Sequence, residues 1–159
     1  MDQKEEQKKV IELLAQNEEA VSQLYKLFAK RFPSHNQFWA VLSLEELEHA
    51  SWLRKLYSCL ERGDLSFNKE RFAIDTIKRS LSYIDKQLVR FEDEQLSIKD
   101  ALSVAMDIEI TLIESKFFQV YEADHEELKQ VLRALEEAFL EHRNRLEEMM
   151  EKVTKSTYQ

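Results

Sequence analysis

The fold is decided by residues 17 to 56, which read NEEAVSQLYKLFAKRFPSHNQFWAVLSLEELEHASWLRKL. Apolar residues recur every three or four positions on both sides of Pro33, and this spacing is typical of amphipathic helices. Proline cannot continue a helix, so a first helix should end near Phe32. Ser34 followed by Gln37 has the pattern of a capping box that begins a second helix. The stretch therefore predicts two long helices joined by a tight turn.

Composition extends this prediction to the whole chain of 159 residues, which contains one glycine and one proline. Turns and strand edges normally use both residues, so their scarcity favours a few long helices with short connections. The length is sufficient for one domain with a substantial core. We therefore expect a single all-α domain over residues 1–159.

Helix ends follow from capping patterns elsewhere in the chain. Gly63 is placed to end the second helix in the left-handed conformation. Residues 72–91 are amphipathic and should form a separate crossover helix. The five helices are expected at Asp2–Phe32, Ser34–Arg62, 72–91, Ser97–Glu122 and Asp124–Lys152, the last of which could run further.

Charge and cysteine content narrow the class of protein. The formal net charge is −8, with the acids spread along the chain, which disfavours nucleic acid as a partner. Cys59 is the only cysteine, so it forms no internal disulfide and no CxxC metal motif. The first nine residues are too polar for a signal peptide, and no apolar run is long enough to cross a membrane. We expect a cytoplasmic protein that does not bind membranes.

The spacing of three and four residues defines an inward-facing seam on each of the four longest helices. Most members of these seams are large apolar residues that would pack in a bundle core. The seams read Leu14, Glu18, Val21, Tyr25, Phe28 and Phe32; Trp39, Leu42, Glu46, His49, Leu53, Leu56 and Leu60; Leu102, Met106, Glu109, Ile113, Phe117 and Val120; and Leu132, Leu135, Phe139, His142, Leu146, Met149 and Val153.

Three acids and two histidines lie on these apolar seams: Glu18, Glu46, His49, Glu109 and His142. Burying one unpaired carboxylate costs several kcal/mol, and several in one layer would repel each other. A bound cation would remove both problems, and Glu46 and His49, three residues apart, can reach the same ion.

Other interpretations of these seam residues stay open. Glu18 and Glu109 could instead pair with a buried lysine or arginine, and His142 could be a hydrogen-bonded histidine. The acids beside the seams are expected to be mainly surface charges; they are Glu19, Glu45, Glu48 and Glu141.

A Glu on one helix, a Glu-x-x-His on the next, and then a second such pair resembles the di-iron carboxylate plan of ferritin-like proteins. Residues 17–56 are similar to the first two helices of rubrerythrin-type domains in particular. Glu18 and Tyr25 match the first ligand and the tyrosine near the metals, and Glu46 and His49 match the first Glu-x-x-His. The remaining matches are Glu109, in AMDIE, and His142.

This resemblance implies a ferritin-like four-helix bundle with a crossover helix between its second and third members. It implies iron as the cofactor, one or two ions per chain, with manganese or zinc as alternatives, since oxygen and imidazole donors suit these metals. The implied ligands are Glu18, Glu46, His49, Glu109 and His142, with Tyr25 just outside them.

The sequence also departs from the family pattern. The second motif reads FLEH, so Phe139 stands where the second bridging Glu belongs. Leu112 stands where rubrerythrins carry an extra Glu, and a rubredoxin-like iron centre would need four cysteines. We therefore predict that Glu18, Glu46 and His49 hold one metal, while Glu109 and His142 hold a second weakly or not at all.

Three functions are consistent with these residues. The first is a rubrerythrin-like oxidoreductase or metal-binding protein in peroxide, oxygen or iron handling, with an external electron donor and a homodimeric assembly. The second is a non-catalytic bundle that serves as an interaction or structural module. The third is ferritin-type iron storage, which the long connection between residues 63 and 97 does not favour.

Overall fold

The computed structural model describes residues 3–63, 65–67, 74–114, 121–123 and 126–157. Within these residues the chain forms five α-helices, a turn of 3-10 helix at Pro33–His35 and two three-residue strands. The predicted all-α class is confirmed, with a minor strand pairing added. The elements are α1 Gln3–Arg31, α2 Asn36–Arg62, β1 Leu65–Phe67, α3 Ile74–Asp93, α4 Ile98–Glu114, β2 Tyr121–Ala123 and α5 Glu126–Thr157.

The break between α1 and α2 lies where Pro33 predicts it, but the predicted cap is wrong. Ser34 lies inside the 3-10 turn, and α2 begins two residues later at Asn36. The Asn36 side chain donates a hydrogen bond to the Ala29 carbonyl at 3.0 Å, which satisfies one free acceptor at the end of α1. At the other end of α2, Gly63 has φ 80°, so the predicted left-handed terminator is confirmed.

The capping box before α4 is confirmed atom by atom. The backbone N–H of Ser97 donates to Asp100 Oδ2 at 2.9 Å, and the backbone N–H of Asp100 donates to Ser97 Oγ at 3.1 Å. These bonds satisfy donors that the first turn of a helix leaves free.

The predicted end of this helix near Glu122 is wrong. Residues Tyr121–Ala123 form β2, which pairs antiparallel with β1 so that Glu122 lies opposite Ser66. The predicted caps Asp2 and Asp124 lie outside the described residues.

The crossover segment forms α3, which packs along α1. Its buried residues Ile77, Ile84 and Phe91 are seven positions apart, so two turns of helix separate each from the next. The ring of Phe91 lies edge-on against that of Phe28 in α1, with 4.7 Å between centroids. Elsewhere α1 packs against α2, and α4 packs against α5.

Among the described residues, the core contains two apolar clusters, and α1 and α2 contribute to both. One includes Leu14, Ala15 and Leu53; the other includes Val21 and Leu42. The predicted seams are buried wherever their side chains are described, except that Phe32, Met106, Met149 and Val153 are partly exposed. Seam residues whose side chains lie outside the description are Leu60, Ile113, Phe117, Val120 and Leu132.

Among the described residues, no helix combines the length and the apolar character needed to span a bilayer.

Candidate metal centre

Four helices each bring ionisable groups into one buried layer. On α1, Glu18 lies between Ala15 of the first apolar cluster and Val21 of the second. On α2, Glu46 and His49 lie between Leu42 of the second cluster and Leu53 of the first. They share one helix face because they are three positions apart. The five seam residues are at most 2% exposed: Glu18, Glu46, His49, Glu109 and His142.

The Glu46 carboxylate is the centre of this layer. Its Oε1 lies 2.9 Å from Nδ1 of His142, and its Oε2 lies 3.4 Å from Nδ1 of His49. The two imidazole rings are 4.9 Å apart between centroids. One carboxylate therefore faces two histidines that come from different helices.

Glu18 and Glu109 each lie beside one of these two histidines. Glu18 Oε2 lies 3.8 Å from Nδ1 of His49, and Glu109 Oε1 lies 3.5 Å from Nδ1 of His142. The Tyr25 hydroxyl donates a hydrogen bond to Glu109 Oε1 at 3.0 Å. This contact places Tyr25 beside the layer, where the sequence predicts it, and holds the Glu109 carboxylate in one orientation.

Phe139 occupies the position where the family pattern has a second bridging carboxylate. Its ring is 2% exposed, and its centroid lies 5.1 Å from that of His49. An aromatic ring there excludes water and supplies no donor atom, so the carboxylates come from α1, α2 and α4 while α5 contributes His142.

Glu45 enters the layer from outside the seam. Nε2 of His142 lies 2.8 Å from Glu45 Oε2, and the Arg145 guanidinium contacts the same oxygen. The Glu45 side chain is 33% exposed, so this contact connects the buried histidine with the protein surface. The prediction that Glu45 is mainly a surface charge misses this role.

The protonation of the two histidines is set by their carboxylate neighbours. Burial disfavours charge on the imidazoles, yet the carboxylates of Glu18 and Glu46 raise the pKa of His49 from 6.5 to about 9. For His142 burial is again outweighed, and the carboxylates of Glu109 and Glu46 raise its pKa from 6.5 to about 11. Without a metal, both rings carry a proton on each nitrogen at neutral pH.

Burial and charge also shift the pKa values of the neighbouring acids. Burial, followed by the nearby Glu46 carboxylate, raises the pKa of Glu18 well above its ordinary value. Burial and the Glu109 carboxylate raise the pKa of the Tyr25 hydroxyl, so it stays protonated and donates. Burial alone would raise the pKa of Glu45, but the hydrogen bond and positive charge of Arg145 hold that pKa below its ordinary value.

Several buried polar atoms of this layer have no hydrogen-bond partner within the described part of the chain. They belong to three carboxylates and one imidazole: Glu18 Oε2, Glu46 Oε2, Glu109 Oε2 and His49 Nδ1. Leaving a buried polar group unpaired costs about 1–3 kcal/mol, and a charged one more. Three of these atoms face one another at 3.4 and 3.8 Å without a hydrogen bond, so the carboxylate oxygens are available to a cation that displaces the His49 proton.

The donor atoms are close enough for one cation. Glu46, His49 and His142 each offer an atom within 4.8 Å of the others, and together they could hold a metal ion. This group includes His142, which the sequence assigned to the weaker half, and leaves Glu18 and Glu109 at its edges. The position of Leu112, where the family has a further Glu, lies among the side chains that are not described.

Comparisons with protein-family models, with curated proteins and with solved structures gave no match for this chain.

Proposed function

We propose that this chain is a metal-binding helical protein that holds one transition-metal ion at Glu46, His49 and His142. One observation carries the proposal: a carboxylate and two imidazoles meet in a fully buried layer where four donor atoms have no hydrogen-bond partner among the described residues. A divalent cation would replace the protons on the two facing Nδ1 atoms and offset the buried negative charge.

The donor set fits iron or manganese, with zinc as the alternative. Imidazole suits iron and zinc, while carboxylate oxygens suit manganese and the other hard cations. Glu18 and Glu109 lie 3.8 and 3.5 Å from the Nδ1 atoms of His49 and His142 and would be further candidate ligands. A bound iron or manganese ion would supply redox chemistry, while the chain itself supplies ligands, a dry pocket and the Tyr25 hydrogen bond to Glu109.

The finer proposal is a rubrerythrin-like role in peroxide, oxygen or iron handling within a ferritin-like bundle. It rests on the sequence resemblance of residues 17–56 and on the four helices that each contribute to one polar layer. Phe139 favours a single or asymmetric metal over a matched pair. A homodimer and an external electron donor remain predictions, and light scattering would measure the first.

Metal content tests the proposal directly. The chain would be loaded anaerobically with Fe(II), Mn(II) or Zn(II), desalted and measured for metal per chain. We expect about one ion, and about a 10-fold or greater loss of affinity in Glu46→Gln and in His49→Gln. The matched controls are Glu48→Gln, an exposed position on the same helix, and His35→Gln in the 3-10 turn.

Two outcomes would count against the proposal. If no metal is tightly bound after any of the three loadings, the proposal that this chain binds metal is wrong. Two tightly bound irons per chain would instead overturn the asymmetric site. Peroxide consumption by the iron-loaded protein, compared with Glu46→Gln, tests the finer proposal separately.

A non-catalytic structural bundle is the second candidate, and one observation favours it. The pKa values of about 9 for His49 and about 11 for His142 favour protonated rings beside Glu46 and Glu109, and the raised pKa of Glu18 favours its neutral form, so buried negative charge is offset without a metal. If the bundle is only structural, we expect added metal to leave the unfolding temperature unchanged. If the chain binds metal, we expect the unfolding temperature to rise with metal concentration.

A further inference from the structure

The five-residue motifs that end in His49 on α2 and His142 on α5 differ in the number of carboxylates they carry. EELEH at residues 45–49 and AFLEH at residues 138–142 share their last three letters. They differ in the first two, so Ala138 and Phe139 stand where α2 has Glu45 and Glu46. As a result α2 carries two carboxylates towards His142, while α5 carries none towards His49 from the equivalent positions.

The contacts of the two histidines reflect this inequality. His142 is held at both ring nitrogens, with Nδ1 2.9 Å from Glu46 Oε1 and Nε2 2.8 Å from Glu45 Oε2. Both carboxylate contacts of His49 among the described residues are made by Nδ1, at 3.4 and 3.8 Å. Both ring nitrogens of His142 therefore face a carboxylate, whereas among the described residues the carboxylates near His49 face Nδ1 alone.

Glu45 is itself held in place. Arg145, three residues after His142 on α5, contacts the same Glu45 oxygen that faces Nε2. The Glu45–Arg145 ion pair joins α2 to α5 at the edge of the buried layer, with side chains 33% and 28% exposed. A carboxylate fixed in this way can accept a hydrogen bond from Nε2 of His142 without turning inward to become a metal ligand.

We propose that Glu45 is a positioning residue, which keeps the proton on Nε2 of His142 so that Nδ1 is the atom that binds metal. This inference rests on the proposed metal site. A carboxylate that accepts the second N–H of a ligating histidine fixes its tautomer and makes its other nitrogen a stronger donor. Nδ1 is the nitrogen that faces Glu46 and Glu109, and Nε2 faces away from them.

Long-range proton–nitrogen NMR spectra of the histidine rings test this role in the full-length chain. In the zinc-loaded wild type we expect a protonated Nε2 and a zinc-bound Nδ1 for His142, whose signals are assigned by their loss in His142→Gln. Glu45→Ala should give a mixture of ring states and about a 10- to 100-fold loss of zinc affinity. Glu45→Gln, which retains an acceptor oxygen, should recover the single ring state and part of the affinity.

Glu48→Ala is the matched control, because Glu48 is an exposed acid on the same helix. It should change neither the ring state of His142 nor the zinc affinity. A zinc-bound Nε2 in the wild type would overturn the proposal. The same ring state and affinity in Glu45→Ala as in Glu48→Ala would also overturn it.

The metal-free protein keeps this test separate from that of the proposed function. There the Nε2 proton of His142 should exchange slowly in the wild type and in Glu48→Ala, and rapidly in Glu45→Ala. If the wild type binds no zinc, the proposed function fails, and the slow exchange alone still supports the hydrogen bond to Glu45. If zinc binds but exchange is equally rapid in all three proteins, the positioning role fails while metal binding stands.

Discussion

At the scale of single residues, the layer depends on Glu46 facing both histidines with one carboxylate. This arrangement lets one carboxylate contact two histidines, and it would let the same carboxylate join two imidazoles around a metal. Phe139 prevents a second carboxylate from doing the same from α5. Under the proposed function, the identity of residue 139 therefore limits the number of carboxylates available to a second metal.

Phe139→Glu would place a carboxylate where the di-iron pattern that this sequence resembles has its second bridging Glu. We expect iron per chain to rise from about one towards about two after anaerobic loading, because each metal would then share two carboxylates. Without metal the variant should be less stable by about 3 kcal/mol or more in urea unfolding, since a buried ring is lost and an acid is added.

Phe139→Gln is the control for this substitution, because it removes the ring without adding a charge. It should be destabilised but gain no metal. Unchanged iron content in Phe139→Glu would show that the missing carboxylate does not limit the site.

At the scale of elements, helix ends depend on local chemistry, and the start of α4 is the clearest case. Ser97 and Asp100 exchange backbone and side-chain hydrogen bonds across the first turn. This cap positions the helix that carries Glu109. It also lowers the pKa of Asp100 from 3.8, because the bonds from the Ser97 backbone and hydroxyl favour the carboxylate.

Ser97→Ala should cost about 1 kcal/mol of stability, as removal of an N-cap typically does. Asp100→Asn should also destabilise the protein at neutral pH. A lowered folded-state pKa gives stability that is present above 3.8 and lost as pH falls through the folded value.

The difference in urea-unfolding free energy between wild type and Asp100→Asn should therefore shrink with acidification below about pH 4. Lys99→Ala, in the same turn, serves as the control for a change in helix charge. A difference that is constant down to the acid limit would contradict the role given to the carboxylate.

At the scale of the whole molecule, helical seams were predictable and contacts between distant segments were not. Residue spacing alone predicts the buried faces of α1 and α2 and the five acids and histidines that are buried among the described residues. The pairing of Tyr121–Ala123 with Leu65–Phe67 joins segments that are far apart in the sequence, and three residues are too few to show an alternating pattern.

Glu45 shows the same limit within the candidate site. Its position beside the seam indicates a surface residue, and only the placement of α5 reveals its contacts with His142 and Arg145. Residue spacing within one helix predicts the direction in which a side chain points. The residues that it contacts there depend on how another helix packs against the first.

The raised pKa values of the buried layer give the metal-free protein a distinct dependence on pH. The folded state retains protons on His49 and His142 up to about pH 9 and about pH 11, while ordinary histidines lose theirs near 6.5. This stabilisation is fully present below about pH 6.5 and is lost as pH rises through the two folded-state values. Glu18 acts in the same direction, since its raised pKa also favours the protonated folded state at lower pH.

The unfolding temperature of the metal-free protein should therefore fall as pH rises from about 6.5 to about 10, and His35→Gln should fall in parallel. Replacing both His49 and His142 by Gln should flatten this dependence. A bound metal should reverse this pH dependence, because a cation displaces the same protons and binds more tightly as they become easier to remove. Calorimetry with zinc should show stabilisation that increases over the range where the metal-free protein weakens. A stabilisation that does not depend on pH would mean that zinc binds away from these histidines.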